Sequence, residues 1–198
     1  EIMLTRYKNS PEHGPKILFF SGGSALRELS SELIQYSHNS IHIITPFDSG
    51  GSSAELRKAF HMPAIGDIRN RILALTDRKI EGNREIHDLF TYRLPYRESR
   101  ENLLLELESL VQGKHALMCR IPHPVREIIL RHLQYFKQVM PKDFDLRGAS
   151  IGNIILSACY LENNKSLDPV SYIYSEIIGV RGVVRPVVDE NLHLAAKL

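Results

Sequence analysis

Residues 19–30 read FFSGGSALRELS: an apolar run that breaks on Gly22 and Gly23 and then takes up helical spacing. Glycines at a strand-to-helix turn remove the side chains that would stand between the backbone N–H groups and a ligand. Together with the partial positive charge of a helix N-terminus, they make an anion site. Ser24 is placed either to cap the helix or to hydrogen-bond a phosphate oxygen. The competing reading is a plain tight turn, because the stretch has neither G-x-G-x-x-G nor the G-K-[ST] of a P-loop.

Residues 45–57, TPFDSGGSSAELR, repeat the arrangement. Asp48 stands at a strand end beside Gly50 and Gly51, with hydroxyls from Ser49, Ser52 and Ser53. In an open parallel sheet the C-terminal strand ends line the ligand crevice, so two glycine-rich turns on successive strands face one crevice. Asp48 there can ligate a divalent cation, accept from a ribose hydroxyl, or cap the helix that follows.

The rest of the chain fits around this pair. KILFFSG and SIHIITP read as short buried strands, and ALRELSSELIQYS places Leu26, Leu29, Leu33 and Ile34 on one helical face. A second helix is expected from about Ser53 to Phe60, and PAIGDIRNRILALTD adds a turn and another. Strand–helix–strand–helix argues for a parallel sheet. SRENLLLELESLVQG, PHPVREIILRHLQYFKQVMP, SIGNIILSACYLEN and DPVSYIYSEIIGV are helical, and VVRPVV and LHLAAKL read as returning strands around Asp189–Glu190. Residues 16–80 and 150–198 are the expected sheet-forming parts, and 85–148 a helical insertion placed to cover the mouth of a site.

Two further segments bring polar groups. GDIRNR, Gly66 to Arg71, offers an acid, two guanidinium groups and an amide. Arg69 can grip phosphate bidentately and Asn70 can read a base or sugar; the plainer version is an Asp67 cap with arginines on a solvated face. In SIGNIIL, Gly152 and Asn153 follow Ser150 at a helix start, where Asn153 serves as a cap or as a contact to a base.

Composition narrows the partners. The 198 residues suit one domain, with 43% hydrophobic and 24% charged residues and a formal charge of +2. No basic run provides the stripe that nucleic acid requires. No apolar run reaches the roughly 18 residues of a membrane span. Cys119 and Cys159 lie in apolar surroundings and read as buried thiols of a reducing compartment. The nine histidines show no metal-ligand spacing, which disfavours zinc, and no GxSxG is present. The polar opening EIMLTRYKNS lacks a signal-peptide core. A start at Glu1 and an apolar close at Leu198 suggest a segment of a longer gene product that continues past Leu198.

FFSGGSALRELS, DSGGSSAELR, PAIGDIRNRILALTD, SIGNIILSACYL and IIGVRGVVRPVVDENLHLAAKL, in that order, resemble the CofD/YvcK family, nearest to the CofD-related branch of bacterial systems labelled GAK. The resemblance implies a single α/β domain over 1–198, with a Rossmann-like three-layer core, a mainly parallel sheet and the helical insertion. It also implies a cytoplasmic protein that binds a nucleotide diphosphate and associates as a homodimer, without nucleic acid or membrane. CofD moves a phospholactyl group from a guanosine diphosphate-linked donor to a deazaflavin. The YvcK branch binds UDP-N-acetylglucosamine and regulates carbon flux and cell-wall metabolism. Carried onto this sequence, Gly22, Gly23, Ser24, Gly50, Gly51, Ser52, Ser53 and Arg69 hold phosphates. Asp67, Asn70, Gly152 and Asn153 complete the nucleotide site, and Asp48 is the catalytic and magnesium-binding residue. Two departures stand out. The family's Asp-Asp pair is Asp48-Ser49 here, which weakens the hold on Mg2+, and Ala25 replaces a glycine and narrows the approach.

Overall fold

The computed structural model describes residues 2–22, 25–48, 50–193 and 195. The chain opens with α1 (Ile2–Asn9) and a short 3-10 turn (Pro11–His13), followed by β1 (Ile17–Ser21), α2 (Arg27–Leu33) and β2 (Ser40–Ile44). Next come α3 (Gly51–Phe60), α4 (Gly66–Ala74), α5 (Asn83–Thr91), α6 (Arg100–Val111), α7 (Ala116–Cys119) and α8 (Val125–Val139). The close is α9 (Ile151–Glu162), α10 (Leu167–Ile178) and β3 (Val183–Pro186). This is the α/β fold expected from the alternation of strands and helices.

The strands form a parallel sheet in the order β1-β2-β3, with Ile17 opposite Ser40 and Ile41 opposite Val183. Because β1 and β2 are parallel, Ser21 and Ile44 are opposite one another at their C-terminal ends. The two glycine-rich turns therefore leave the sheet on the same edge. Alternation along β2 buries Ser40, His42 and Ile44 on one face. On the other, Leu18 and Phe20 of β1 and Val183 of β3 are exposed.

The core is centred on α9, whose residues Ile151 through Tyr160 are all buried. A helix apolar on every side must be surrounded, and α3, α4, α5, α8 and α10 do so. Ser150 caps it by accepting from the Asn153 N–H, so Asn153 is the third helical residue rather than the cap. The helices α5–α8 fill the 85–148 region, which is closed by a clasp: Leu94 N donates to Ala149 O and Ile151 N to Tyr92 O, around an antiparallel bridge of Arg93 with Ser150.

Several expectations are corrected. The Leu26–Leu29–Leu33 face of α2 is not its buried face: Leu29 is exposed and Ser30 is the buried residue. Polar contacts hold this helix, with Ser31 Oγ donating to Ala74 O at 3.2 Å and Arg71 to Ser30 Oγ. VVRP forms β3, but 191–193 are not strand, and most of LHLAAKL lies outside the described residues. Cys159 is buried, with its thiol pushed up to about 12 by burial, whereas Cys119 is exposed. No helix among the described residues is long and apolar enough to cross a membrane.

His42, fully buried, stacks on Phe19 at 4.9 Å and meets Ser40 Oγ at 3.0 Å. Burial, with the Arg71 charge, lowers its pKa from 6.5 to about 4. His87 is lowered to about 4 by burial and by Arg78. Both rings are neutral when folded and bind a proton more readily when unfolded. Their contribution is therefore complete above pH 6.5 and is lost as the pH falls from 6.5 through 4, at most about 3 kcal/mol for each ring. Urea midpoints measured across that window should decline, and His42→Gln should flatten the decline whatever its effect at neutral pH.

Candidate functional site

Two buried guanidinium groups fix the loops at the C-terminal ends of β1 and β2. Arg71, 2% exposed on α4, donates to Ala25 O at 2.5 Å, Leu26 O at 3.1 Å and Ser21 Oγ at 3.0 Å, and to Ser30 Oγ. It thereby holds the chain on both sides of the first glycine turn. Leu26 takes a left-handed φ of 60° before α2 starts. Arg57 of α3 does the equivalent for the second loop. It donates to Phe47 O at 3.2 Å and Asp48 O at 3.1 Å, then reaches Asn191 Oδ1 and Leu192 O at 2.8 and 2.7 Å.

The loops and the start of α4 approach one another closely at two glycines. A Cβ on Gly22 would lie 2.5 Å from Thr45 Oγ1 and 3.6 Å from Asp67 Oδ2. A Cβ on Gly66 would lie 2.7 Å from Ser53 Oγ, 3.7 Å from Asn153 Nδ2 and 3.8 Å from Asp48 Oδ2. Gly22, Thr45, Asp48, Ser53, Asp67 and Asn153 thus gather at one edge of the sheet. Ser52 joins them: its Oγ accepts from Ser150 N at 3.1 Å and from Asn153 Nδ2 at 3.4 Å. Asn153 is 2% exposed and its Oδ1 has no hydrogen-bond partner.

Asp48 is exposed, and its Oδ1 accepts from Gly50 N at 3.0 Å. Gly50 is the N-cap of α3, so Asp48 braces the turn before the helix rather than capping it. Gly51, with φ of +51°, starts that helix in a conformation that suits glycine. Asp67 is buried in the first turn of α4 beneath the first glycine loop, while the N-cap of α4 is Ile65. Arg69 is 7% exposed and donates to Ser150 Oγ through one terminal nitrogen and to Asn70 Oδ1 at 2.9 Å through the other. Burial lowers its pKa to about 10, and the neighbouring charges of Arg93 and Arg27 add to that effect.

Of the residues expected in the site, Asp48, Gly50, Gly51, Ser52, Ser53, Asp67, Arg69, Asn153 and Gly22 lie along this edge. Gly23, Ser24 and Ser49 lie outside the described residues. Asn70 presents its carbonyl to Arg69 and so supports that side chain. Gly152 serves packing: a Cβ there would meet Phe90 O at 2.4 Å and Arg69 Cδ at 2.8 Å. Sequence reading placed the arginines of GDIRNR on a ligand or a solvated face and did not identify Arg71 or Arg57 as loop clamps. Pattern alone carries no mark of which carbonyl an arginine will reach. Among the described residues no group of three or more His, Cys, Asp or Glu forms a metal cage.

The family profile described as 2-phospho-L-lactate transferase CofD matches residues 17–198. A putative gluconeogenesis factor of Thermoanaerobacterium thermosulfurigenes is 37% identical over 186 residues, covering 94% of this chain and 42% of that protein. An uncharacterized protein of Saccharomyces cerevisiae is 31% identical over 157 residues, covering 73% of this chain and 33% of that protein. A crystal structure of a UPF0052-family protein from Bacillus halodurans has a TM-score of 0.59 at 22% identity, over 89% of this chain and 40% of that one. The chain thus spans well under half the length of these relatives.

Gly152→Ala tests the packing that holds Arg69 in place. A methyl gains up to about 1 kcal/mol in helix propensity, but the Phe90 carbonyl is backbone and yields little. Net destabilisation of about 1–3 kcal/mol is expected, read as a lowered denaturant midpoint at unchanged slope.

Proposed function

This chain belongs to the CofD family, and from that premise we propose that it carries the nucleotide-diphosphate site of a CofD-like transferase. Its reaction moves a phospholactyl-type group from a guanosine diphosphate-linked donor to an acceptor such as a deazaflavin. The observation that carries the reading is the convergence of both glycine turns, Asp48, Asp67, Ser52 and Asn153 at one sheet edge, with the Asn153 carbonyl oxygen unpartnered. A buried polar atom left without a partner is costly, and a ligand donor satisfies it.

In such a transfer an acceptor oxygen attacks the distal phosphorus, the bond to the bridging oxygen breaks, and GMP leaves. The bare backbone after β1 and the N-terminus of α3 receive the diphosphate oxygens. The Asn153 carbonyl accepts from an N–H or O–H of the nucleoside. Asp48, anchored through Oδ1 and with Oδ2 toward the crevice, orients the acceptor hydroxyl and takes its proton.

The donor set suits a magnesium ion held by Asp48, waters and the ligand's own phosphate oxygens, since Mg2+ keeps several waters and is commonly bound through one or two carboxylates. When bound, it neutralises charge on the diphosphate. With Ser49 in place of the family's second Asp, Asp67 beneath the first loop is the other carboxylate at this edge.

A second reading is a non-catalytic regulator that binds UDP-N-acetylglucosamine. It is favoured by the gluconeogenesis-factor relatives, which align along nearly the whole chain. Thermal shifts with GDP, GTP and UDP-N-acetylglucosamine, each with and without Mg2+, separate the two. At a ligand concentration a hundredfold over Kd, binding adds about 2.7 kcal/mol of stability. The transferase reading expects a guanine-nucleotide shift that depends on Mg2+ and loses that dependence in Asp48→Asn. A metal-independent shift with the nucleotide sugar alone would establish the regulator instead.

A further inference from the structure

The helices α2 and α4 start at the glycine-turn edge, and at their other ends lies a cleft of about 560 Å3. The nine residues of α4, about 13 Å at 1.5 Å per residue, separate it from Gly66 and the crevice. Ile34 of α2 and Leu73 of α4 supply apolar lining. Lys8 of α1 and the residues directly after α4 supply charge: Asp77, Arg78 and Lys79. The volume is that of a small-molecule site.

The C-terminus of a helix carries partial negative charge, and cations gathered there commonly serve to neutralise it. At the end of α4 other donors already do so. The Arg71, Leu73 and Leu75 carbonyls accept from Leu75 N, Thr76 N and Arg181 N at 3.1, 3.4 and 2.9 Å. Ile72 O accepts from Thr76 Oγ1 at 2.8 Å and Ala74 O from Ser31 Oγ at 3.2 Å. Nor do acidic side chains take the cations: the ion pairs among the described residues engage neither Lys8 nor Arg78 nor Lys79. Arg78 is oriented by the buried His87, whose Nε2 accepts from one of its terminal nitrogens at 2.6 Å. Three cations therefore line one concave surface with no anion of the protein to meet them.

The uncharged lining is made of acceptors. Thr76 Oγ1 gives its proton to Ile72 O, so toward a ligand it can only accept. Gln35 spends its Nε2 on Glu32 Oε2 at 2.8 Å, which leaves its carbonyl oxygen. Asp77 accepts from Lys79 N at 3.0 Å through Oδ1, and its carboxylate has no donor of its own. Cations call for an anionic group, whereas these oxygens call for O–H donors. A dicarboxylate meets the first demand, and Asp77 repels it. A phosphate carried on a hydroxylated body meets both.

We propose that this cleft is a second ligand site, remote from the glycine turns, and that it takes a small phosphorylated polyol. Lys8, Arg78 and Lys79 hold the phosphate, and Gln35, Thr76 and Asp77 accept from the hydroxyls. The inference is independent of what occupies the crevice.

The test is calorimetric titration with glucose 6-phosphate and glycerol 3-phosphate, and with inorganic phosphate and glucose as partial probes. At least one phosphorylated polyol should bind the wild type, more tightly than inorganic phosphate or glucose does. Lys79→Gln and Lys8→Gln should each weaken it about tenfold, the loss of one charge-assisted hydrogen bond. Both residues are exposed, so the variants are expected to melt as wild type does. Asp48→Asn, at the crevice, should leave this binding unchanged. Silence toward both phosphorylated polyols overturns the site, as does affinity that survives in the Lys8→Gln/Lys79→Gln double variant. Binding no tighter than that of inorganic phosphate overturns the assignment of a polyol.

Discussion

The site depends on Arg71. A guanidinium group with almost no solvent exposure is costly unless it is hydrogen-bonded, and both terminal nitrogens of Arg71 donate to the carbonyls and hydroxyls around the first glycine turn, while its Nε has no partner. The bonds are reciprocal in effect. The carbonyls and hydroxyls offset the cost of burying the arginine, and the arginine fixes Ser21, Ala25 and Leu26 on either side of the turn. Arg57 repeats the device at the second loop, with the 191–192 segment as a third party. An anion site made of backbone N–H groups is useful only if the backbone is held still, since disorder at the turn would have to be removed at each binding event.

The helix α9 supplies the other half of the frame. Being apolar on all sides, it has no polar face to spare except at its first turn, and that turn carries Ser150 and Asn153. Both point polar atoms toward α3 and α4, where Ser52 and Arg69 meet them. This buried helix therefore presents the polar groups of its N-terminal turn to α3 and α4. Gly152 permits this closeness by leaving room for the Phe90 carbonyl and the Arg69 stem. Packing at one glycine and orientation of one arginine are the same contact.

The strand–glycine–helix repeats at 19–30 and 45–57 were legible as a parallel sheet with paired turns because hydrophobic period and glycine position are local properties of the chain. The same is true of α9, whose unbroken apolar run can only be interior. Asp48, Ser52 and Asn153 were legible as candidates because polar residues at strand ends and helix starts are conspicuous against that pattern. The resemblance of five ordered motifs placed them in one family. What no local pattern contains is the pairing of distant groups. Arg71 and Arg69 are two residues apart and chemically identical, yet α4 turns one toward the first loop and the other toward α9. Leu29, read on one helical face with Leu26 and Leu33, is exposed, and the buried contacts of α2 run through its serines. The sequence by itself determined most of the elements and the edge of the sheet where they converge; only the tertiary structure decided which loop or helix each buried guanidinium holds, because that choice depends on the carbonyls and hydroxyls it reaches.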